Sequence, residues 1–280
     1  VMFFARKEAL VSIPLLSVIG VSLASAVILI GGIIDDTKDL SARVQLYIIF
    51  AALLITVSVG IGPEKISNPL GGFIMLPKIV SGVVVFVWLL LITHTTKLLD
   101  GLDGLVTGLT AIGAAMIGFF SLLTKYHQPD IALIAFILSG VCVGFLVWNF
   151  HPAKIFLGNV GSIWTGYMLG VLAVISGGKI AITLLVLGAP LIDMLIVVTR
   201  RIASGKPPWQ GDATHLHFQL LKSGLGHRGT VYLYWITAAL FGGLTIFLQS
   251  SGKLIALGVL ILGTLFLIAT VRPRIHRAPS

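Results

Sequence analysis

The sequence predicts an all-α fold: a polytopic integral membrane helix bundle of about nine transmembrane helices. Of its residues, 57% are hydrophobic and only 10% are charged, and the mean hydropathy is +1.06. The apolar residues form repeated runs of roughly 18 to 25, the length that crosses a bilayer as a helix. We therefore expect one integral membrane domain over residues 1–280, whatever the chain length alone would suggest about domain number.

The predicted spans are separated by short segments that hold the turn-forming and charged residues. Helix is the structure expected for each span, because a helix satisfies its own backbone hydrogen bonds in lipid. The single cysteine, Cys142, lies inside an apolar run, which excludes a disulfide framework. The predicted spans are 11–33, 45–62, 79–93, 103–123, 130–148, 160–177, 179–199, 231–249 and 253–271.

The basic residues predict the orientation of the bundle. Twelve of the nineteen Lys and Arg residues fall in segments on one side, and seven fall on the other. The richer side is expected to face the cytoplasm. The net charge of +9 is spread over many loops; this disfavours a nucleic-acid partner and favours anionic lipids or phosphates.

The acidic residues are scarce and clustered. Asp100 and Asp103 lie three positions apart where one apolar run meets the next, and they would share one face of a helix. Asp35 and Asp36 end an earlier apolar run. A carboxylate at a membrane boundary costs several kcal/mol unless it meets water, a cation or a metal. We therefore predict that the two pairs are halves of one site, built around a shared cation or a polar substrate.

Two further polar segments lie on the same predicted side. Gly158 and Gly161 precede an apolar run and would expose backbone N–H groups at a helix start, where anions bind. His215 and His217 lie in the longest loop. They lack a third ligand at the spacing of a structural zinc site, so contact with a phosphate or a leaving group is the expected role.

The four segments, in this order, resemble the polyprenyl-phosphate N-acetylhexosamine-1-phosphate transferases, of the glycosyltransferase family 4 type. The undecaprenyl-phosphate GlcNAc-1-phosphate transferases belong to this group, and phospho-N-acetylmuramoyl-pentapeptide transferase is related to it. The family motifs Asp-Asp, Asp-Gly-x-Asp-Gly, Pro-Ala-x-x-Phe-x-Gly-Asp-x-Gly-Ser and His-x-His match residues 35–36, 100–104, 152–162 and 215–217, except at Asn159. The family has one or two further N-terminal helices, which we expect this chain to lack.

The resemblance implies that a sugar-1-phosphate, with GlcNAc-1-phosphate expected, passes from a UDP-N-acetylhexosamine to a polyprenyl (undecaprenyl) phosphate, releasing UMP. This would be the first membrane step of a cell-envelope polysaccharide such as lipopolysaccharide or teichoic acid. It implies Mg²⁺, with Mn²⁺ as an alternative, and a multi-pass protein of the inner (cytoplasmic) membrane whose site faces the cytoplasm. A homodimer is left open.

The resemblance also assigns roles to residues. The implied catalytic residues are Asp35, Asp36 and Asp103; the implied substrate-binding residues are Lys97, Asp100, Asn149, Phe156, His215 and His217; the implied metal ligands are Asp36 and Asn159. The Asp100–Asp103 segment, Asn149 and Phe156 would contact the uridine nucleotide, and Lys97 would place a positive charge near the pyrophosphate. Covalent attack by an aspartate and direct attack by the lipid phosphate both remain open.

Two alternatives to this function stay open, and the first comes from departures from the family pattern. Asn159 stands where the family has a magnesium-binding Asp, and Lys97 stands where it usually has Asn. Because Mg²⁺ prefers carboxylate oxygens, Asn159 opens the alternative of a catalytically impaired member that serves as a membrane scaffold. The other alternative is a secondary transporter, since intramembrane acids and glycine-interrupted helices also serve ion coupling.

Overall fold

The structure, a computed structural model, describes residues 13–63, 65–67, 73–123, 127–177, 179–205, 207 and 214–275. Almost all of these residues are helical, as the apolar runs predicted. The helices are α1 Leu15–Lys38, α2 Ala42–Ser58, α3 Lys78–Leu99, α4 Leu105–Leu123, α5 Pro129–Asn149, α6 Gly158–Ile175, α7 Ile180–Val186, α8 Gly188–Ala203, α9 Leu216–Leu220, α10 Gly226–Phe247 and α11 Ser250–Ile275. A π-helical turn, Leu221–Leu225, joins α9 to α10.

A short β-hairpin departs from the all-α prediction. Strand β1, Lys65–Ser67, pairs antiparallel with β2, Phe73–Met75, in the connection between α2 and α3. Each strand has only three residues, so the helical class of the protein is unchanged.

The predicted count of nine spans is not confirmed. Seven helices among the described residues are long and apolar enough to cross a membrane. The pair α7 and α8 adds an eighth if it is one span bent by 75°. The bend has a local cause: Pro190 has no N–H to donate to the carbonyl of Val186, where α7 ends. Helix α2, with 17 residues, is shorter than these seven.

Close contacts between helices α3 and α6 position the site. A Cβ atom on Gly166 would lie 2.0 Å from the hydroxyl oxygen of Thr96, so only glycine permits this approach. The Trp88 indole N–H donates to the Gly170 carbonyl at 3.1 Å. Between these two glycines, the Tyr167 hydroxyl lies 2.7 Å from that of Thr56 on α2. These contacts hold the end of α3 beside the start of α6.

The Asp100–Asp103 segment lies in a loop and not on a helix. Helix α3 ends at Leu99 and α4 begins at Leu105, two residues after the predicted start of that span. Gly104 has a φ of +79°, a left-handed conformation that favours glycine. A turn, and not a helix, therefore brings Asp100 and Asp103 near each other. The prediction that they share one face of a helix was wrong.

Candidate active site

The predicted halves of the site meet at one end of the bundle. Asn159, at the start of α6, donates from Nδ2 to Oδ2 of Asp35 at 3.0 Å, which joins that segment to the end of α1. Asp103, in the α3–α4 loop, accepts a hydrogen bond from His151 after α5. A Cβ atom on Gly101 would lie 3.0 Å from Nε2 of His217. All four motif segments therefore border one another, although they span most of the chain.

Asp35 is buried and its carboxylate is held by three donors. Its Oδ1 accepts from the Leu40 N–H at 3.0 Å and from Gln45 Nε2 at 2.7 Å, and its Oδ2 accepts from Asn159. Because a carboxylate only accepts, the face of the Asn159 amide turned toward it must be the NH₂ group. These contacts give Asp35 a positioning role, and the catalytic role predicted for it stays a prediction.

Lys97 belongs to the same network. Its ammonium donates to Oε1 of Gln45, whose other amide atom donates to Asp35. Gln45 was not among the predicted site residues, because a single Gln near a helix start carries no motif. The contact of Lys97 with a pyrophosphate stays a prediction.

Asp36, in contrast to Asp35, is exposed. Its Oδ2 would lie 3.0 Å from a Cβ atom on Gly158, the first residue of α6, which has a φ of +70°. A side chain at position 158 would thus be both strained and close to the carboxylate. Glycine here lets Asp36 approach the start of α6 next to Asn159.

Two neighbouring carboxyl groups have pKa values shifted in opposite directions. Burial raises the pKa of Asp100 to about 7, helped by the charges of Asp103 and Asp36 and opposed by a hydrogen bond from Ser162. For Asp103, partial burial acts to raise the pKa, but the hydrogen bonds from His151 and the Ala153 N–H outweigh it, and the pKa is lowered. Asp103 is thus held ionised while Asp100 is poised to exchange a proton near neutral pH.

Asn149 ties the α3–α4 loop to the α5–α6 loop. Its Oδ1 accepts from the Gly104 N–H at 3.2 Å and the Thr107 hydroxyl at 2.7 Å, and its Nδ2 donates to the Ile155 carbonyl at 3.0 Å. The side chain is buried. The structure gives Asn149 a positioning role, and its predicted contact with the nucleotide stays a prediction.

Phe156 lies on the loop that Asn149 anchors. Its side chain is 75% exposed, so it does not serve the protein core. An exposed aromatic ring is suited to stacking on a nucleobase. The predicted nucleotide contact of Phe156 stays a prediction.

His215 pairs with Asp193, a residue absent from the predicted site. Nδ1 of His215 donates to Asp193 Oδ2 at 2.8 Å, and the Leu216 N–H donates to Asp193 Oδ1 at 2.9 Å. Both side chains are buried. A carboxylate inside an apolar span is a signal that a partner exists, although the sequence alone does not identify it.

His217 is buried, and neither ring nitrogen has a hydrogen-bond partner among the described residues. Its ring lies between those of His215, at 5.6 Å, and Phe218, at 4.2 Å. An unsatisfied buried polar group costs ~1–3 kcal/mol. Because both nitrogens are covered by the protein, the phosphate contact predicted for His217 stays a prediction.

His151 and His227 complete the site, and the predicted residues included neither. His151 follows α5 and His227 begins α10, and their rings are stacked with centroids 3.9 Å apart. The Arg228 Nε–H donates to the His151 carbonyl at 3.1 Å. His151 directly precedes the Pro152–Ser162 motif, a position that could have drawn attention to it; His227 carried no comparable signal.

Replacing Asp100 by Asn should stabilise the folded protein above neutral pH. The folded-state pKa of about 7 exceeds the ordinary value of 3.8, so the folded carboxyl holds a proton that the unfolded one has lost, and stability falls as pH rises from about 4 to 7. A pKa difference of three units corresponds to ~4 kcal/mol of unfolding free energy. Because Asp100 is partly exposed, we expect Asp100→Asn to gain only ~1–2 kcal/mol of stability at pH 8 and little at pH 4.5.

Thermal unfolding in detergent with EDTA, followed by tryptophan fluorescence, measures this difference. Asp39→Asn, at an exposed position after α1, is the matched control and should show no such gain. A lower unfolding temperature for Asp100→Asn than for the unaltered protein at pH 8 would contradict the raised pKa.

Comparison with known proteins identifies the family. A family model described as Glycosyl transferase family 4 matches residues 18–177. The chain is 30% identical to the probable undecaprenyl-phosphate N-acetylglucosaminyl 1-phosphate transferase of Bacillus subtilis, over 88% of this chain and 70% of that protein. It is 32% identical to the decaprenyl-phosphate N-acetylglucosaminephosphotransferase of Mycolicibacterium smegmatis, over 93% and 70%.

A more distant similarity extends to a related enzyme name. The chain is 32% identical to the phospho-N-acetylmuramoyl-pentapeptide-transferase of Moorella thermoacetica, over 52% of this chain and 45% of that protein. The matched region of the family model contains three of the four motif segments and the helices that carry them. The chain therefore belongs to glycosyl transferase family 4, as its motifs predicted.

Proposed function

We propose that this protein transfers a sugar-1-phosphate, N-acetylglucosamine-1-phosphate, from its UDP-sugar to a polyprenyl phosphate and releases UMP. The names of its relatives support the polyprenyl phosphate and the N-acetylglucosamine phosphate. The observation that carries the proposal is the meeting of Asp36 and Asp100 with the first turn of α6, and of Asp103 with the loop before it, at one end of a bundle of apolar helices. Such a place suits a lipid acceptor and a soluble donor at once.

The residues fit a divalent cation, Mg²⁺ or Mn²⁺, near Asp36. The raised pKa of Asp100 reflects burial and then the crowding of negative charge by Asp103 and Asp36, which a cation would relieve. Asp36 offers an exposed carboxylate, and Asn159 offers only its amide oxygen, because its NH₂ group is turned to Asp35. When bound, the cation would neutralise charge on the pyrophosphate and on the leaving UMP.

The other side chains of the site position the loops and the substrates. Asp103 stays ionised and orients the α5–α6 loop, and Asn149 fixes that loop against Gly104 and Thr107. The exposed ring of Phe156 would stack on the uracil, and His217 would donate to a phosphate oxygen. Holding two anionic substrates in one geometry supplies much of the rate enhancement in such transfers.

The test is formation of UMP by the purified protein from a panel of UDP-sugars, with and without polyprenyl phosphate. The proposal expects UMP only when donor, acceptor and a divalent cation are all present. UDP-sugar counterflow into liposomes without UMP formation would support transport instead. Binding of both substrates without any turnover would support the scaffold alternative.

The four motif segments are expected to face the cytoplasm. Three exposed lysines lie at the end of the bundle that carries the four motif segments: Lys38, Lys154 and Lys222. Lys78 is exposed at the start of α3. Cysteine replacing any of the first three should react with an impermeant maleimide only after the cells are opened, whereas cysteine at position 78 should react in intact cells. The native Cys142 is buried and should not react with the maleimide. Labelling at position 38, 154 or 222 in intact cells would contradict the orientation.

A further inference from the structure

We propose that His151 accepts the proton of the polyprenyl phosphate as that phosphate attacks the UDP-sugar. The inference rests on the proposed function, and it selects direct attack by the acceptor over a covalent aspartyl intermediate. None of the four motifs contains this histidine.

Asp103 fixes the protonation pattern of the imidazole. His151 Nδ1 lies 2.8 Å from Asp103 Oδ2, and a carboxylate only accepts, so Nδ1 carries the hydrogen. In the neutral ring the lone pair is then on Nε2, the atom that must take a proton. A carboxylate that orients an imidazole in this way is the arrangement used where histidine is a catalytic base.

The surroundings hold the ring in place and leave it accessible. The Ala153 N–H donates to the same carboxylate oxygen at 3.2 Å, and Arg228 donates to the His151 carbonyl. The His227 ring covers one face of the His151 ring, at an interplanar angle of 15°. The His151 side chain is still 39% exposed.

A second carboxylate–histidine pair provides an internal comparison. Asp193 and His215 have the same N–O distance of 2.8 Å, but the His215 side chain is only 5% exposed. A base must come within hydrogen-bond reach of the proton that it takes. Of the two such pairs in the described residues, only the one with His151 is open to a lipid headgroup at the membrane surface.

The stacking favours proton transfer over metal binding by the same residues. Asp103, His151 and His227 offer ligand atoms within 4.8 Å of one another. However, two nearly parallel rings 3.9 Å apart direct their in-plane lone pairs side by side and not toward one point. Asp103 Oδ2 is also engaged by two donors. The cluster is therefore built to orient one imidazole.

The chemistry of the acceptor matches an imidazole. A phosphate monoester loses its second proton near pH 6, so below that pH the acceptor carries a proton that a neighbouring base can take. The charged and titratable groups beside His151 are Asp103, His227 and Arg228.

In the proposed step, Nε2 takes the proton from the P–OH group of the acceptor, and that oxygen forms a bond with the sugar-bearing phosphorus of the donor. The bond from this phosphorus to the bridging oxygen breaks, and its electron pair leaves with UMP. The imidazolium then returns its proton to water, so that charge and atoms balance.

His151→Asn is the variant that separates proton transfer from positioning. The Asn Nδ2 takes the place of Nδ1 and keeps the donor to Asp103, but no base remains at the position of Nε2. At pH 5.5, where about three quarters of the acceptor carries its proton, we expect transfer to fall about fourfold. At pH 8.5, where the acceptor is already a dianion, we expect the variant and the unaltered protein to react at the same rate.

Two further variants complete the experiment. His127→Asn, at an exposed histidine before α5, is the matched control and should keep its rate at both pH values. His151→Gly should recover rate with added imidazole at pH 5.5 and gain little at pH 8.5. Thermal unfolding of each variant checks that it is folded.

Three outcomes would overturn the inference. An equal loss for His151→Asn at both pH values would reduce His151 to a positioning residue, and an unchanged rate at pH 5.5 would remove it from the reaction. If the unaltered protein forms no lipid-linked product at any pH, the proposed function itself fails and the inference falls with it. The first two outcomes leave the proposed function intact.

Discussion

Asp36→Asn is expected to reduce sugar-phosphate transfer by ~100-fold or more while leaving the unfolding temperature unchanged, because it removes a full charge from the site of phosphate chemistry. The Asp36 side chain, near the end of α1, is exposed and lies beside the first residue of α6, so the fold does not depend on its charge. Initial rates at saturating divalent cation, measured beside thermal unfolding in detergent, test both halves of the prediction.

Asp35→Asn is the matched variant, and it should behave differently. The Asp35 carboxylate accepts from Leu40, Gln45 and Asn159 while buried. An amide at position 35 has only one oxygen to accept from these three donors. Its NH₂ group would face at least one of them, at a cost of ~1–3 kcal/mol in stability. If Asp35→Asn is as stable as the unaltered protein, or if Asp36→Asn keeps near-normal turnover, the roles assigned to this pair are wrong.

Asn159→Asp should make the stability of the protein depend on divalent cations. The new carboxylate would face Asp35 where a hydrogen bond of 3.0 Å now joins the two side chains. Two unit charges about 4 Å apart repel by ~4 kcal/mol at an effective dielectric of 20, so even a fraction of that lowers the unfolding temperature. Mg²⁺ between the carboxylates would reverse the loss and also lower the Mg²⁺ concentration needed for transfer.

Thermal unfolding at pH 8, with EDTA and then with millimolar Mg²⁺, measures this effect without relying on activity. Asn159→Ala is the matched control: it loses the hydrogen bond, at ~1 kcal/mol, without adding charge, and its stability should not respond to Mg²⁺. Equal stability of Asn159→Asp and the unaltered protein in EDTA would contradict the Asn159–Asp35 contact.

The sequence predicted the helices and the place of the site because both depend on the bilayer. Apolar runs fix where helices end, and a carboxylate at such an end needs a partner, so Asp35, Asp36, Asp100 and Asp103 could be assigned to one site. The hairpin and the bend after Val186 were not predicted, since three-residue strands and a single proline give weak signals.

The partners across the site could not be predicted, because they depend on how the helices are rotated against one another. The close approach of Gly166 to Thr96 sets the position of α6 against α3, and no pattern within either segment specifies it. Pairings such as Asp193 with His215 and Asp103 with His151 follow from that packing. The glycines at 101 and 104 did offer a signal, because two glycines within four residues argue against a helix there.

The central claim is that the four segments form one site that links a sugar phosphate to a polyprenyl phosphate. Its most direct test is mass spectrometry of the lipid fraction after the purified protein is incubated with UDP-N-acetylglucosamine, polyprenyl phosphate and Mg²⁺. The account predicts a polyprenyl diphosphate N-acetylglucosamine that forms in step with UMP and is nearly absent with Asp36→Asn. Absence of that lipid with the unaltered folded protein, or its undiminished formation by Asp36→Asn, would contradict the account.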